Sequence, residues 1–189
     1  MRRELALIAI AVVALSVAFM GYYFVTTEER EVEYKTYINE NYPFKFDYPV
    51  DWIFEEWSLP WVGSPISQFM ARENVPEKET GGVIYLSVVE TDIPLENFLY
   101  NSTSWSIGGE NFTVVSGPSN IVIDGVLAVK YLIKSIPIEN TLIPIELMYI
   151  IAKKNNYLYR FQLLAKEEKF HDYEPIFEHV IDSFSFLEN

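Results

Sequence analysis

The chain has 189 residues, with 27 acidic side chains against 14 basic ones, a formal net charge of −13 and no cysteine. The first 30 residues hold three Arg and three Glu, so the remainder still carries −13. That balance excludes a nucleic-acid binder, which needs a basic face to displace counterions from phosphates. The missing cysteines exclude disulfides, thiolate metal sites, thiol catalysis and lipoprotein acylation.

Residues 5–25 carry no charge and follow Met1-Arg2-Arg3-Glu4. As a helix rising about 1.5 Å per residue they span roughly 30 Å, the thickness of a bilayer's hydrocarbon core. The run outlasts the about 7–15 apolar residues of a secretory leader, although Ser16-Val17-Ala18 offers a small-x-small cleavage site. A transmembrane signal anchor is therefore expected, with a cleaved signal or a buried core helix as alternatives. Tyr22 and Tyr23 suit an interfacial aromatic belt. Arg2 and Arg3 hold residues 1–4 in the cytoplasm, so the C-terminal body is expected outside the cell membrane. Residues 26–35 are acidic and read as a tether.

About 155 residues follow, a single-domain length. Phe44-Lys45-Phe46-Asp47-Tyr48, bracketed by Pro43 and Pro49, alternates as a strand with one buried face does. Asp51-Trp52-Ile53-Phe54 turns into a second strand. After Gly81-Gly82, residues 83–89 are apolar on both faces and predict a central strand covered from two sides. Asp92 caps a helix near Pro94, with Leu95, Phe98, Leu99 and Trp105 as its stripe. Residues 112–123 form a strand broken at Gly117-Pro118, and Asp124-Gly125 is a type I′ turn into residues 126–136. Residues 142–153 and 157–164 make a further pair. A final helix is capped at Asp172, with Pro175 in its first turn. Phe170, Tyr173, Phe177, Val180, Ile181 and Phe184 lie on its sheet-facing side. The expected fold class is α+β, helices against a curved, largely antiparallel sheet.

Three motifs in order carry a family resemblance. Tyr42-Pro43-Phe44-Lys45-Phe46-Asp47-Tyr48-Pro49-Val50-Asp51-Trp52 resembles the F-x-F-x-x-P-x-x-W opening of PsbP-like domains. Ile123-Asp124-Gly125-Val126-Leu127-Ala128 resembles their I-D-G-x-x-A hairpin. Tyr157-Leu158-Tyr159-Arg160-Phe161 and the later Ser183-Phe184-Ser185-Phe186 resemble their closing segment. The resemblance covers residues 36–187 and makes 36–189 the domain. It implies an antiparallel sheet sandwiched by helices and a binding or assembly role. Fold analogy alone fixes no function. The motif residues read as folding determinants, with Trp52 and Phe184 in the core.

Candidate chemistry is thin. His171 and His179 lie roughly 12 Å apart along a helix, too far to share one metal ion. Relatives that bind divalent cations leave a cation open, with no ligand motif in this sequence to support it, and no cofactor is expected. Glu55 and Glu56 neighbour each other on a strand and so point to opposite faces. Glu167-Glu168 is a further carboxylate pair, and Glu73, Asn74, Glu77 and Glu79 read as a solvated loop without calcium-loop spacing. No nucleophile elbow or phosphate loop is present. Trp57-Ser58-Leu59-Pro60-Trp61-Val62-Gly63-Ser64-Pro65 reads as a loop whose two Trp either plug the sheet end or form a contact lip. Asn101 and Asn111 begin N-x-S/T triplets, candidate glycosylation sites. The expected function is a non-enzymatic, membrane-anchored extracytoplasmic binding or accessory module with a protein partner. Alternatives are a glycan-binding module using Trp57 and Trp61, or an envelope hydrolase.

Overall fold

The computed structural model describes residues 32–59, 66–76, 81–96, 112–135 and 144–187. The strands are β1 (Tyr34–Asn39), β2 (Phe44–Pro49), β3 (Ile53–Leu59), β4 (Ile66–Arg72), β5 (Val83–Glu90), β6 (Phe112–Ile123), β7 (Val126–Ser135), β8 (Ile145–Lys154) and β9 (Tyr157–Lys166). A 3-10 turn (Glu167–Lys169), helix α1 (Phe170–Ser183) and β10 (Ser185–Phe186) complete the order. Two sheets result, one of order β1-β2-β10 and one of order β3-β4-β5-β9-β8-β7-β6. Every pairing in both is antiparallel. The large sheet is two meanders, β3-β4-β5 and β6-β7-β8-β9, joined where β5 pairs with β9.

The expected antiparallel architecture is what the chain adopts. Asp124 and Gly125 have φ of 45° and 75°, the two positive values a type I′ turn demands. β6 continues through Gly117-Pro118, where its register against β7 shifts on both sides of Ser116. A helical turn opens at Leu95 and Glu96, where Pro94 predicts it; Phe98, Leu99 and Trp105 lie outside the described residues.

Three features depart from the sequence reading. Tyr34 and Lys35, read as tether, open β1 and pair with Pro49 and Tyr48. Trp57 lies inside β3, opposite Gln68 on β4, rather than in a loop. Helix α1 starts at Phe170, with Lys169 at its N-cap and no side-chain cap; Asp172 is the third helical residue. Phe170 is wholly buried, and seating it on the sheet recruits the chain into the helix before Asp172 is reached. Pro175 is thereby displaced beyond the first turn. Among the described residues α1 is the one full helix against the sheets, where helices on both sides were expected.

One core joins these parts. Phe44, Phe46 and Tyr48 of β2, Phe69 of β4, Leu86 of β5 and Phe161 of β9 meet Phe170, Tyr173, Phe177 and Val180 of α1. Trp52 and Phe184 are both buried there, as expected. The three motifs that resemble PsbP-like domains converge in this space. Phe184 stacks on Phe44 at 5.5 Å between centroids and meets Phe161 edge-on at 4.8 Å. The Asp124 carboxylate accepts a 2.9 Å hydrogen bond from the Phe186 backbone N–H, fastening β10 to the β6–β7 turn.

Among the described residues no helix is long and apolar enough to cross a membrane. Residues 5–25, expected to anchor the chain, lie outside them, as do residues 60–65, 77–80, 97–111, 136–143 and 188–189.

Candidate functional site

The side chains singled out from sequence are scattered. Trp57 is half-buried on the large sheet, while Trp61, Asn101 and Asn111 lie outside the described residues. Tyr37 donates a 2.6 Å hydrogen bond to Glu56. Glu55 points to the opposite face of β3, where its charge acts on Tyr85. Glu167 pairs with Lys134, whose ammonium also lies 3.8 Å from Glu146. Glu73 accepts from the Tyr173 hydroxyl. That contact and burial push the Tyr173 pKa up to about 12, burial being the larger cause.

The two histidines have separate surroundings. His171 is exposed beside Glu174, whose hydrogen bond and charge raise the imidazole pKa above its ordinary value. His179 stacks on Tyr34, with ring centroids 3.7 Å apart. Its Nε2 lies 3.8 Å from an Asp47 carboxylate oxygen, while the other oxygen accepts a 2.6 Å bond from Thr36. Among the described residues, no group of three or more His, Asp or Glu side chains gathers as a metal ion would require.

A different constellation stands on the face of the large sheet that turns away from α1. Alternation along each strand sends one set of residues into the core shared with α1 and the other set to this outer face. On β9, Tyr159, Phe161, Leu163 and Ala165 join that core. Leu158, Arg160, Gln162 and Leu164 therefore face outward. The register aligns an outer row across the sheet: Trp57 opposite Gln68, Gln68 opposite Ser87, Ser87 opposite Arg160, and Arg160 opposite Ile151. In the adjacent row Tyr85 faces Gln162, Gln162 faces Tyr149, and Tyr149 faces Tyr131. At about 4.8 Å per strand, Trp57 lies about 14 Å from Arg160.

Arg160 is on the middle strand of seven. Its guanidinium donates to the Ser87 hydroxyl at 3.5 Å, the long limit of a hydrogen bond, and Gln68 donates to the same oxygen at 3.4 Å. Ser87 is itself buried, at 3% exposure. The Arg160 Nε is buried without a hydrogen-bond partner, and among the described residues no carboxylate forms an ion pair with it. Burial lowers the Arg160 pKa, against a smaller opposing effect of the neighbouring Tyr149. Tyr149 is 3% exposed, and burial raises its pKa well above the ordinary phenol value. Leu95 packs on this face, against the clusters around Leu147 and Tyr149 and around Ile151 and Leu158. Chemically, the row offers a fixed guanidinium, a hydroxyl, two amides and several aromatic rings. That set suits recognition of an oxygen-rich group more than bond breaking.

Sequence reasoning placed Arg160 inside a folding motif and passed over Ser87. The usable signal was that each interrupts a strand whose outer residues are otherwise mostly apolar. A buried polar residue is the informative exception in such a strand.

No family model matches the sequence, and no curated protein matches it. Among solved structures, the chain is similar to the cyanobacterial PsbP (CyanoP) of Synechocystis sp. PCC 6803. The identity is 14% and the TM-score 0.56, covering 85% of this chain and 96% of that one. It is also similar to LpqN of Mycobacterium tuberculosis, described as involved in cell envelope biogenesis. There the identity is 12% and the TM-score 0.52, covering 85% and 94%. A Bacteroides thetaiotaomicron VPI-5482 protein matches at 14% identity and a TM-score of 0.51, over 82% of this chain and 49% of that one. At these identities the likeness is one of fold, and it agrees with the three motifs that meet in the core. This chain has a PsbP-like fold.

Proposed function

We propose that this protein is a membrane-anchored, extracytoplasmic binding or accessory module without catalytic activity. The observation that carries the reading is the PsbP-like fold set behind the uncharged run of residues 5–25. The anchor follows from the length of that run and from Arg2 and Arg3 before it. LpqN shares the fold and is described as acting in envelope biogenesis, which favours an envelope setting here. The net charge of −13 keeps the body off anionic headgroups and suits a partner with a basic face. No cofactor is part of this reading.

Protease shaving of intact cells tests the topology. The body should be digested from outside while residues 1–25 stay with the membrane. A body protected in intact cells and cut only after lysis would overturn it. Screening the full chain against esters, peptides and glycosides tests the non-enzymatic half, and any turnover that tracks the protein would refute that half.

A glycan-binding module is the second reading, and one observation favours it. Trp57 stands on the outer face beside the Gln68 amide, and a flat ring next to an amide suits a sugar face and its hydroxyls. The Trp57→Ala/Trp61→Ala double variant should then lose retention on immobilised envelope glycan. Unchanged retention would remove both tryptophans from the contact.

A further inference from the structure

Arg160 is poorly explained by folding. A guanidinium carries five N–H donors and cannot escape its charge by losing a proton. Among the described residues its side-chain acceptor is the Ser87 hydroxyl at 3.5 Å, which already accepts from Gln68. Its Nε is buried with nothing to donate to. A half-buried guanidinium with its Nε out of water is ordinarily paired with a carboxylate, and none of the ion pairs among the described residues reaches it. Its position at the centre of the sheet also rules out the usual escape of a long basic side chain, which is to run its head out past an edge into water. The inner face of the same strands has no comparable buried cation.

We propose that the outer face of the large sheet binds a small ligand bearing a carboxylate or phosphate group, with Arg160 as the anion-binding residue. Ser87 accepts from the guanidinium on one side, and Gln68 donates to the same hydroxyl oxygen. Ile151, directly across from Arg160, and Leu158 are buried with Leu95 packed on them, an apolar wall beside the guanidinium. A planar guanidinium meets the two oxygens of a carboxylate or phosphate with parallel hydrogen bonds, a match that an ammonium lacks. The inference deepens the reading of the protein as a binding module by naming the ligand chemistry. Its test needs neither the anchor nor the location, so the two fail separately.

The test is thermal unfolding of the full chain in a mild non-ionic detergent, titrated with acetate, benzoate, inorganic phosphate and phenyl phosphate at constant ionic strength. Wild type should show a saturable rise in midpoint, about 5–10 °C at a concentration a hundredfold above the Kd. Benzoate outperforming acetate, with phosphates inert, identifies a carboxylate ligand; phenyl phosphate outperforming benzoate identifies a phosphate ligand. Arg160→Met should abolish the rise, and without ligand it should melt no lower than wild type, because a half-buried cation without a carboxylate partner has been replaced by an apolar chain of similar length. Arg160→Lys should retain the rise with at least tenfold weaker affinity. Should Arg160→Met fail to fold, the Arg160 Nε–Hε resonance of labelled wild type decides, since it must move along the same saturation curve. No saturable rise with any of the four anions would overturn the proposal. An equal rise in Arg160→Met, or an Nε–Hε resonance indifferent to them, would do the same.

Discussion

The two faces of the large sheet come from the same strands and were built under different constraints. On β9 the inner set is Tyr159, Phe161, Leu163 and Ala165, all at 3% exposure or less. The outer set is Leu158, Arg160, Gln162 and Leu164, of which only Leu158 is fully buried. The inner face is specified many times over: Phe44, Phe161 and Phe184 interlock with Tyr159, and α1 closes over them. The outer face keeps a cation, a hydroxyl and two amides on central strands, where apolar residues would be the more stable choice. Stability accounts for the first face, and the proposed anion site would account for the second.

The largest expected effect separates the faces directly. Phe161→Ala should cost about 3–5 kcal/mol in urea unfolding, because it removes a wholly buried ring. Gln162→Ala, one residue along on the other face, should fall within about 0.5 kcal/mol of wild type. Equal losses would mean that the outer face is as much a core as the inner one. Next in size is Gly82→Ala. A Cβ there would lie 2.5 Å from the Tyr173 ring, so about 1–3 kcal/mol should be lost to overpacking. Combining it with Tyr173→Ala should cost less than the sum of the two, since the clash disappears.

The aromatic face also predicts an alkaline limit. Tyr37, Tyr159 and Tyr173 are each pushed up to about 12, burial being the largest cause in every case. The folded state then holds its phenolic protons more tightly than the unfolded chain, whose tyrosines titrate near 10. Their stabilisation is complete below pH 10 and is lost as pH rises through about 12. The midpoint temperature should fall across that window, and less steeply in Tyr159→Phe; a flat profile would contradict the burial. A smaller effect belongs to Asp124→Ala, which removes the acceptor for the Phe186 N–H and should cost about 1 kcal/mol.

The smallest effect lies away from both faces. Glu174 raises the pKa of His171, so the pair stabilises the fold below the unfolded imidazole value and ceases to do so as pH rises through the folded one. NMR titration should place His171 above an ordinary histidine, and Glu174→Gln should bring it down. The pair is solvent-exposed, so His171→Ala should leave the unfolding midpoint nearly unchanged.

Local chemistry made most of the strands readable in the sequence. The alternation of Phe44 to Tyr48, the apolar run of β5, the Asp-Gly turn and the 3.6-residue spacing along α1 each depend on neighbours a few residues away. β1, β4 and the start of α1 were harder to read. Tyr34 and Lys35 sit in an acidic, tether-like stretch, and only pairing with β2 orders them. Phe170 outweighs the capping preference of Asp172 because its burial can be realised only once the sheet exists to receive it.

By itself, then, the sequence determined the fold class, the inner core and the uncharged N-terminal run, since each is written in periodicity, turn chemistry or length. The tertiary structure alone decided which polar residues share a surface. Trp57, Gln68, Ser87 and Arg160 come from four strands up to 103 positions apart in sequence, and only the register of β3, β4, β5 and β9 aligns them. A polar residue in an apolar strand can be noticed locally, but which such residues register brings together cannot, because hydrogen bonding between strands is made by the backbone and not by the side chains. The side chains reveal the row only after pairing is fixed.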